Sequence, residues 1–218
     1  LFGSCDRVTK TDDLIKSGYL SKFRIKILLC QHAPQHFETY QDEIDYLCEH
    51  KGRNNLIKNL VKDLDGNTLV LFNYIEKHGE PLFEIINNSV DHDRKTFFVH
   101  GGTEVQDREE VRLITEQEND AIIVASYGTF STGINIKRLH NLVFASPSKS
   151  RVRNLQSIGR VLRQSRGKTI ATLYDIADDI STDRGNNYTL NHLMERFKIY
   201  KQENFNYELI DVKLKSDD

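Results

Sequence analysis

Nothing in the chain approaches the roughly 18 consecutive apolar residues that a membrane-spanning helix requires. Its first residues, "LFGSCDRVTK", lack the basic, apolar and small-residue sectors of a secretion signal. Cysteine is scarce: Cys5, Cys30 and Cys48 are odd in number, far apart and not in C-x-x-C pairs. That spacing argues against a disulfide framework or a zinc site and fits a reducing cytoplasm. There is no internal repeat and no low-complexity tract. Methionine occurs once, at Met194, and the sequence opens on Leu, so it is expected to be a piece of a longer polypeptide.

Acidic residues are missing from one long interval. Between Asp120 and Asp175 there is none, against nine Lys or Arg, so the rest of the chain holds 21 basic and 32 acidic residues and the net charge of −2 conceals the asymmetry. A basic stretch without compensating carboxylates points to an anionic partner such as phosphate or nucleic acid.

The 218 residues, 38% of them hydrophobic, suffice for one sizeable core. Short apolar runs rich in Val, Ile and Phe begin at 23, 68, 95, 121, 140 and 169, as strands buried on both faces do. Segments of helical length separate them, at 38–64, 76–88, 103–117 and 150–164. This alternation predicts an α/β fold, a parallel sheet with helices on both faces. One domain is expected over 1–218, with 178–218 as an appended loop, terminal helix (189–203) and strand ("YELIDVKL"), and "DDISTDRGNN" (178–187) as its most mobile loop. Ligands of such sheets gather at the carboxyl ends of the strands. The informative places are therefore "FNYIEK" at 72, "VHGGTE" at 99, "ASYGTFSTGINI" at 125 and "SPSKSRVRNLQ" at 146.

"LQSIGRVLRQ", residues 155–164, sets two arginines side by side. At 100° per residue, Gln156, Arg160 and Arg163 share an arc of roughly 60°, next to an apolar arc of Val152, Leu155, Ile158 and Leu162. Gly159, lacking a side chain, lets a backbone or ligand come close. Paired guanidiniums suit the spread negative charge of a phosphoryl group in transfer.

"QSIGRVLR" resembles motif VI, Q-x-x-G-R-x-x-R, of superfamily 2 helicases and translocases. It follows three further elements in order: "LVLFNYIEKHGEPLFEII" at 69 resembles motif IV, "FVHGGTEVQDREEV" at 98 motif IVa, and "IIVASYGTFSTGINI" at 122 motif V. The resemblance runs from about residue 10 to about 177. It implies a RecA-like domain, the second of two that clasp ATP. The N-terminal RecA-like domain of the same polypeptide would then hold the phosphate-binding loop and Mg2+. Carried over by position, Arg160, Arg163 and Gln156 face the ATP phosphates, and Gly133 and Asn135 approach the ribose, with Gly159 beside them. Ser126, Thr129 and the backbone at His100, Gly101 and Gly102 hold a nucleic-acid strand, together with Asn73 and Tyr74. Asn135 stands where many members carry Asp. The implied activity is an ATP-dependent DNA helicase acting on branched or single-stranded DNA in recombination, fork rescue and repair, with this domain inactive alone and no membrane partner. An RNA helicase, a restriction or remodeller motor, and a non-catalytic nucleic-acid-binding module remain alternatives.

Other features receive an ordinary reading. "RGKTI" at 166 ends like a phosphate-binding loop but lacks the first glycine and precedes a strand. "DEID" at 42 is expected to be solvated helix charge. His32 and His36 flank Pro34, which argues against a helical metal pair. Phe197, Tyr200, Phe205 and Tyr207 are expected to pack rather than stack bases.

Overall fold

In the computed structural model the described residues are 11–132, 136–146, 148, 150–163, 165 and 168–214. Seven strands form one sheet: β1 (Lys22–Gln31), β2 (Thr68–Phe72), β3 (Thr96–Val99), β4 (Ile122–Ser126), β5 (Asn141–Phe144), β6 (Ile170–Asp179) and β7 (Tyr207–Lys213). Their order is β3-β4-β2-β5-β6-β1-β7, and every neighbouring pair is parallel. All strand carboxyl ends therefore lie along one edge, which gathers the loops after β2, β3, β4 and β5.

Each apolar run feeds both faces of the sheet, because successive side chains of a strand point opposite ways. Leu69 and Leu71 of β2 join Ile123, Ala125, Leu142 and Phe144 in one core; Val70 and Phe72 join Ile122, Val124, Val143 and Ala145 in the other. The first core is closed by α7 (Arg151–Val161), through Ile158 and Val161, and by α8 (Tyr188–Gln202), through Leu190, Leu193 and Tyr200. The second is closed by α3 (Lys51–Asp63), through Ile57 and Val61, and by α4 (Glu80–Asn87), through Leu82 and Ile86. Each such side chain, fully withdrawn from water, contributes about 1.5–3 kcal/mol. A single helical segment over 38–64 is in fact two helices. His50 is at once the C-cap of α2 (Tyr40–Glu49) and the N-cap of α3, where its Nδ1 accepts from the Arg53 amide. Short α1 (Thr11–Lys16), α5 (Val105–Gln117) and α6 (Tyr127–Thr132) complete the described α-helices.

Three expectations need correction. The loop expected over 178–187 is shorter and tied down: Asp178 and Asp179 finish β6, Ile180 and Asn187 are buried, and Thr182 and Gly185 bridge a tight turn. Nor is the end of the chain an appendage, since β7 pairs with β1 and α8 covers β6. Third, the charges of "DEID" are not all solvated. Glu43 is fully buried; its carboxylate accepts from the backbone amides of Tyr188 and Thr189, the Thr189 hydroxyl and the Asn187 side chain. It caps the first turn of α8, where amides without helical partners and the helix dipole both favour an anion. No described helix is long and apolar enough to cross a membrane.

Candidate nucleotide and nucleic-acid interface

The arginine helix is launched from a loop held from below. After β5, the Ala145 carbonyl accepts from Arg53 Nη2 at 2.9 Å and the Ser148 carbonyl from Arg196 Nη1 at 3.2 Å. Both arginines are buried, and each is neutralised by a carboxylate of β6: Arg53 Nε lies 2.9 Å from Asp178 and Arg196 Nε 2.8 Å from Asp175. Burial disfavours the charged form of Arg196, but Asp175 outweighs it and raises the guanidinium above its ordinary value. Asp178 likewise loses hydration, yet Arg53 and a hydrogen bond from His32 hold its carboxyl down at about 2. These four residues were not singled out as functional. The available signal was two acids inside a run otherwise apolar enough to be a buried strand.

Ser150 caps α7, accepting from the Arg153 amide. Within the helix, Ile158 and Val161 point inward, Gln156 is exposed and Arg160 half-buried, its guanidinium 5.2 Å from the Phe130 ring centre. The helix ends at Val161 rather than Gln164, so Arg163 lies beyond the last turn. Its backbone bridges Leu20, and Ser21 donates to the Leu162 carbonyl. Lys168 fixes this ending: its buried ammonium donates to the carbonyls of Val161 and Arg163, a C-terminal cap. "RGKTI" thus spends its lysine on the helix end. Arg160 and Arg163 still stand together; burial and the neighbouring Arg163 charge both push the Arg160 guanidinium below its ordinary value. A Cβ at Gly159 would meet nothing within 4 Å, so no described group of this chain requires the glycine. Gly133 and Asn135 lie outside the described residues.

The other strand ends form a row on the same edge. Ser126 closes β4; its hydroxyl and that of Thr129 share a hydrogen bond of 2.8 Å and both residues are buried, tying down the start of α6. After β3, the His100 ring accepts from the Gly102 amide, and Arg108 braces the turn through the carbonyls of Thr103 and Gly101, leaving both glycines exposed. After β2, the Asn73 amide donates to the Ser146 hydroxyl, which also hydrogen-bonds buried His78 in a π-helical turn, Ile75–Gly79. Burial drives His78 down to about 3, so the ring is neutral. A Cβ at Gly79 would run into the Phe72 ring, so the tight turn needs glycine there. Asn73 Oδ1 accepts from Arg153, whose guanidinium lies 5.6 Å from the Tyr127 ring centre. This one constellation connects the loops after β2, β4 and β5 to the arginine helix.

His32 bonds Asp178 and Tyr46 while His36 is exposed, so the two histidines are apart in role. Tyr200 and Phe205 are buried in the core.

A parallel α/β lobe with this row of strand-end loops and a paired-arginine helix is a helicase C-terminal domain: residues 52–165 match the helicase conserved C-terminal domain family, and the chain belongs to it. It is similar to the ATP-dependent DNA helicase UvsW of Enterobacteria phage T4, 34% identical over 233 residues, covering 98% of this chain and 45% of that protein. The crystal structure of T4 UvsW superposes with a TM-score of 0.74 over 90% of this chain and 42% of that one, and the lobe has the RecA-like fold of such domains. Two structures at 16% identity share the fold. They are the type ISP restriction-modification enzyme LlaBIII bound to DNA (TM-score 0.65, 96% of this chain, 17% of that one) and a putative HsdR fragment from Vibrio vulnificus (TM-score 0.66, 92% and 38%). The chain thus spans less than half of the curated relative it matches.

Proposed function

We propose that this chain is the second motor domain of an ATP-dependent DNA helicase or translocase, completed by an N-terminal RecA-like domain of the same polypeptide. The observation that carries the reading is the adjacency of Arg160 and Arg163 at the end of a braced helix. Burial and the neighbouring Arg163 charge already push the Arg160 guanidinium down, which suits the pair to an anion. The residues present fit a triphosphate: Arg160, Arg163 and Gln156 would face its phosphates, Gly159 would leave room for close approach, and Gly133 and Asn135 would border the ribose. Mg2+ would be held mainly by carboxylates of the other domain. ATP supplies the phosphoryl transfer; the arginines stabilise the charge that develops in it and so act as arginine fingers, catalytic only when the two domains close. Alone, the lobe would not turn over ATP.

Asn73, Tyr74, His100, Gly101, Gly102, Ser126 and Thr129 would form the nucleic-acid track along the sheet edge, gripping phosphates through exposed amides and polar side chains. The Ser146, Arg153 and Tyr127 contacts join that track to α7, so closure on ATP would alter the grip, and alternation between the two states would move the strand. The preference for DNA, for branched junctions and for recombination, fork rescue and repair rests on the likeness to UvsW, and with it a place in the host-cell cytoplasm. Strand displacement by the full polypeptide on matched DNA and RNA forks tests it. DNA forks should be unwound and RNA forks left paired; equal unwinding of both would overturn the DNA assignment.

A further inference from the structure

Beyond Asn73 the sheet edge runs into a cleft of about 440 Å³ that the proposed track does not use. Asn73, Ser148, Ser150 and Arg153 line it from the strand-end loops and the start of α7, and Tyr40, Tyr188 and His192 line it from α2 and α8. These three rings form a cluster, with Tyr40 centred 6.2 Å from Tyr188 and 5.2 Å from His192. Tyr188 is 41% exposed, yet its hydroxyl is anchored to the Glu38 carbonyl at 3.1 Å, so an apolar ring is held at the surface in a fixed place. None of the described residues lining the cleft is a carboxylate, no described carboxylate pairs with the exposed Arg153, and α7 has no acid in its first turn. The ring cluster comes from outside residues 52–165, the segment matched to the family.

We propose that this cleft is a subsite for one nucleotide of a single-stranded segment. Its phosphate would lie on Arg153 and the Ser150-capped start of α7, and its base against Tyr188 and Tyr40. Two separate features converge on that ligand: a cation without an acidic neighbour suits a phosphodiester, and fixed aromatic rings suit an unpaired base of any identity. The inference rests on the proposed track, which it extends, since Asn73 belongs to both.

The test uses the polypeptide carrying both motor domains and a single-stranded DNA with one 2-aminopurine stepped along it. Binding is read by anisotropy and stacking by quenching of the 2-aminopurine. One position should be quenched. Tyr188→Ala should abolish that quenching and weaken binding about tenfold, whereas Tyr188→Phe, which keeps the ring and loses the anchor to Glu38, should restore both. On a strand abasic at that position Tyr188→Ala should cost nothing further. Arg153→Gln should flatten the salt dependence by about one phosphate contact. If the wild-type protein binds the strand but Tyr188→Ala and Arg153→Gln bind and quench as it does, the subsite is refuted and the track stands. If the wild-type protein binds no nucleic acid, the proposed function itself fails and the subsite with it.

Discussion

Arg196→Met removes the buried guanidinium beneath the arginine helix. In the wild-type chain Asp175 Oδ2 receives Arg196 Nε and the Tyr200 hydroxyl, each at 2.8 Å, and all three residues are buried. The variant leaves the Asp175 carboxyl in the core with only the phenol for a partner. Breaking such a pair costs about 3–5 kcal/mol, because the orphaned charge keeps its desolvation penalty and loses its counter-charge. For a chain of this length that corresponds to a fall in Tm of about 6–20 °C. Thermal unfolding of the purified chain, followed by far-ultraviolet circular dichroism, measures it. Asp175→Asn in the same chain should recover at least half of the loss, since no charge is then stranded and the amide still accepts from Tyr200. Recovery is favoured further because Asp175 Oδ1 and Arg196 Nη2 find no partner among the described residues, so the native pair is itself incompletely satisfied. In both variants the Ser148 carbonyl keeps Asn154 Nδ2 but loses Arg196 Nη1, so the double variant should regain stability without regaining full ATPase in the two-domain protein. A fall below about 1 kcal/mol for Arg196→Met, or no recovery in the double variant, would refute the reasoning that a stranded charge sets the cost.

Three further outcomes follow from the same packing. Glu43→Gln swaps an acceptor oxygen for a donor among the amides that start α8 and should cost about 1–3 kcal/mol in urea unfolding. Gly79→Ala drives a methyl into the Phe72 ring and should cost about 1–3 kcal/mol, read by the same titration, unless the π-helical turn unwinds. Asp178 is held at about 2 in the folded chain against 3.8 for an ordinary carboxyl. Its depressed value means its stabilisation is complete above pH 4 and is lost as pH falls towards 2. That amounts to about 2 kcal/mol, which should vanish from the acid limb of a stability-against-pH curve in Asp178→Asn.

Strands β2 to β6 were legible because each is built on a short apolar run, and a sheet covered on both sides needs no alternation to be recognised. Helices α1 and α6, six residues each, are too short to show a period, and the break at His50 depends on one imidazole capping a helix that no spacing announces. The buried acids misled for a common reason. Glu43 sits among helix charges that are otherwise exposed, and its partners lie some 145 residues away in sequence. Asp175 and Asp178 were visible inside an apolar run, yet their partners Arg196 and Arg53 became visible only in space. Of the candidate site, the row of strand-end residues and the pairing of Arg160 with Arg163 could be read from spacing. The displacement of Arg163 past the helix end could not, because it depends on where Lys168 returns. The ring cluster of Tyr40, Tyr188 and His192 brings together two distant segments and carries no local signature.

The decisive measurement is DNA-stimulated ATP turnover by the two-domain polypeptide carrying Arg160→Ala or Arg163→Ala, with DNA affinity measured alongside. Loss of an arginine finger should cut kcat by about 10³-fold or more while the protein still binds DNA. Turnover that stays at the wild-type level while DNA binding weakens would mean that these guanidiniums hold nucleic acid, not the transferring phosphate.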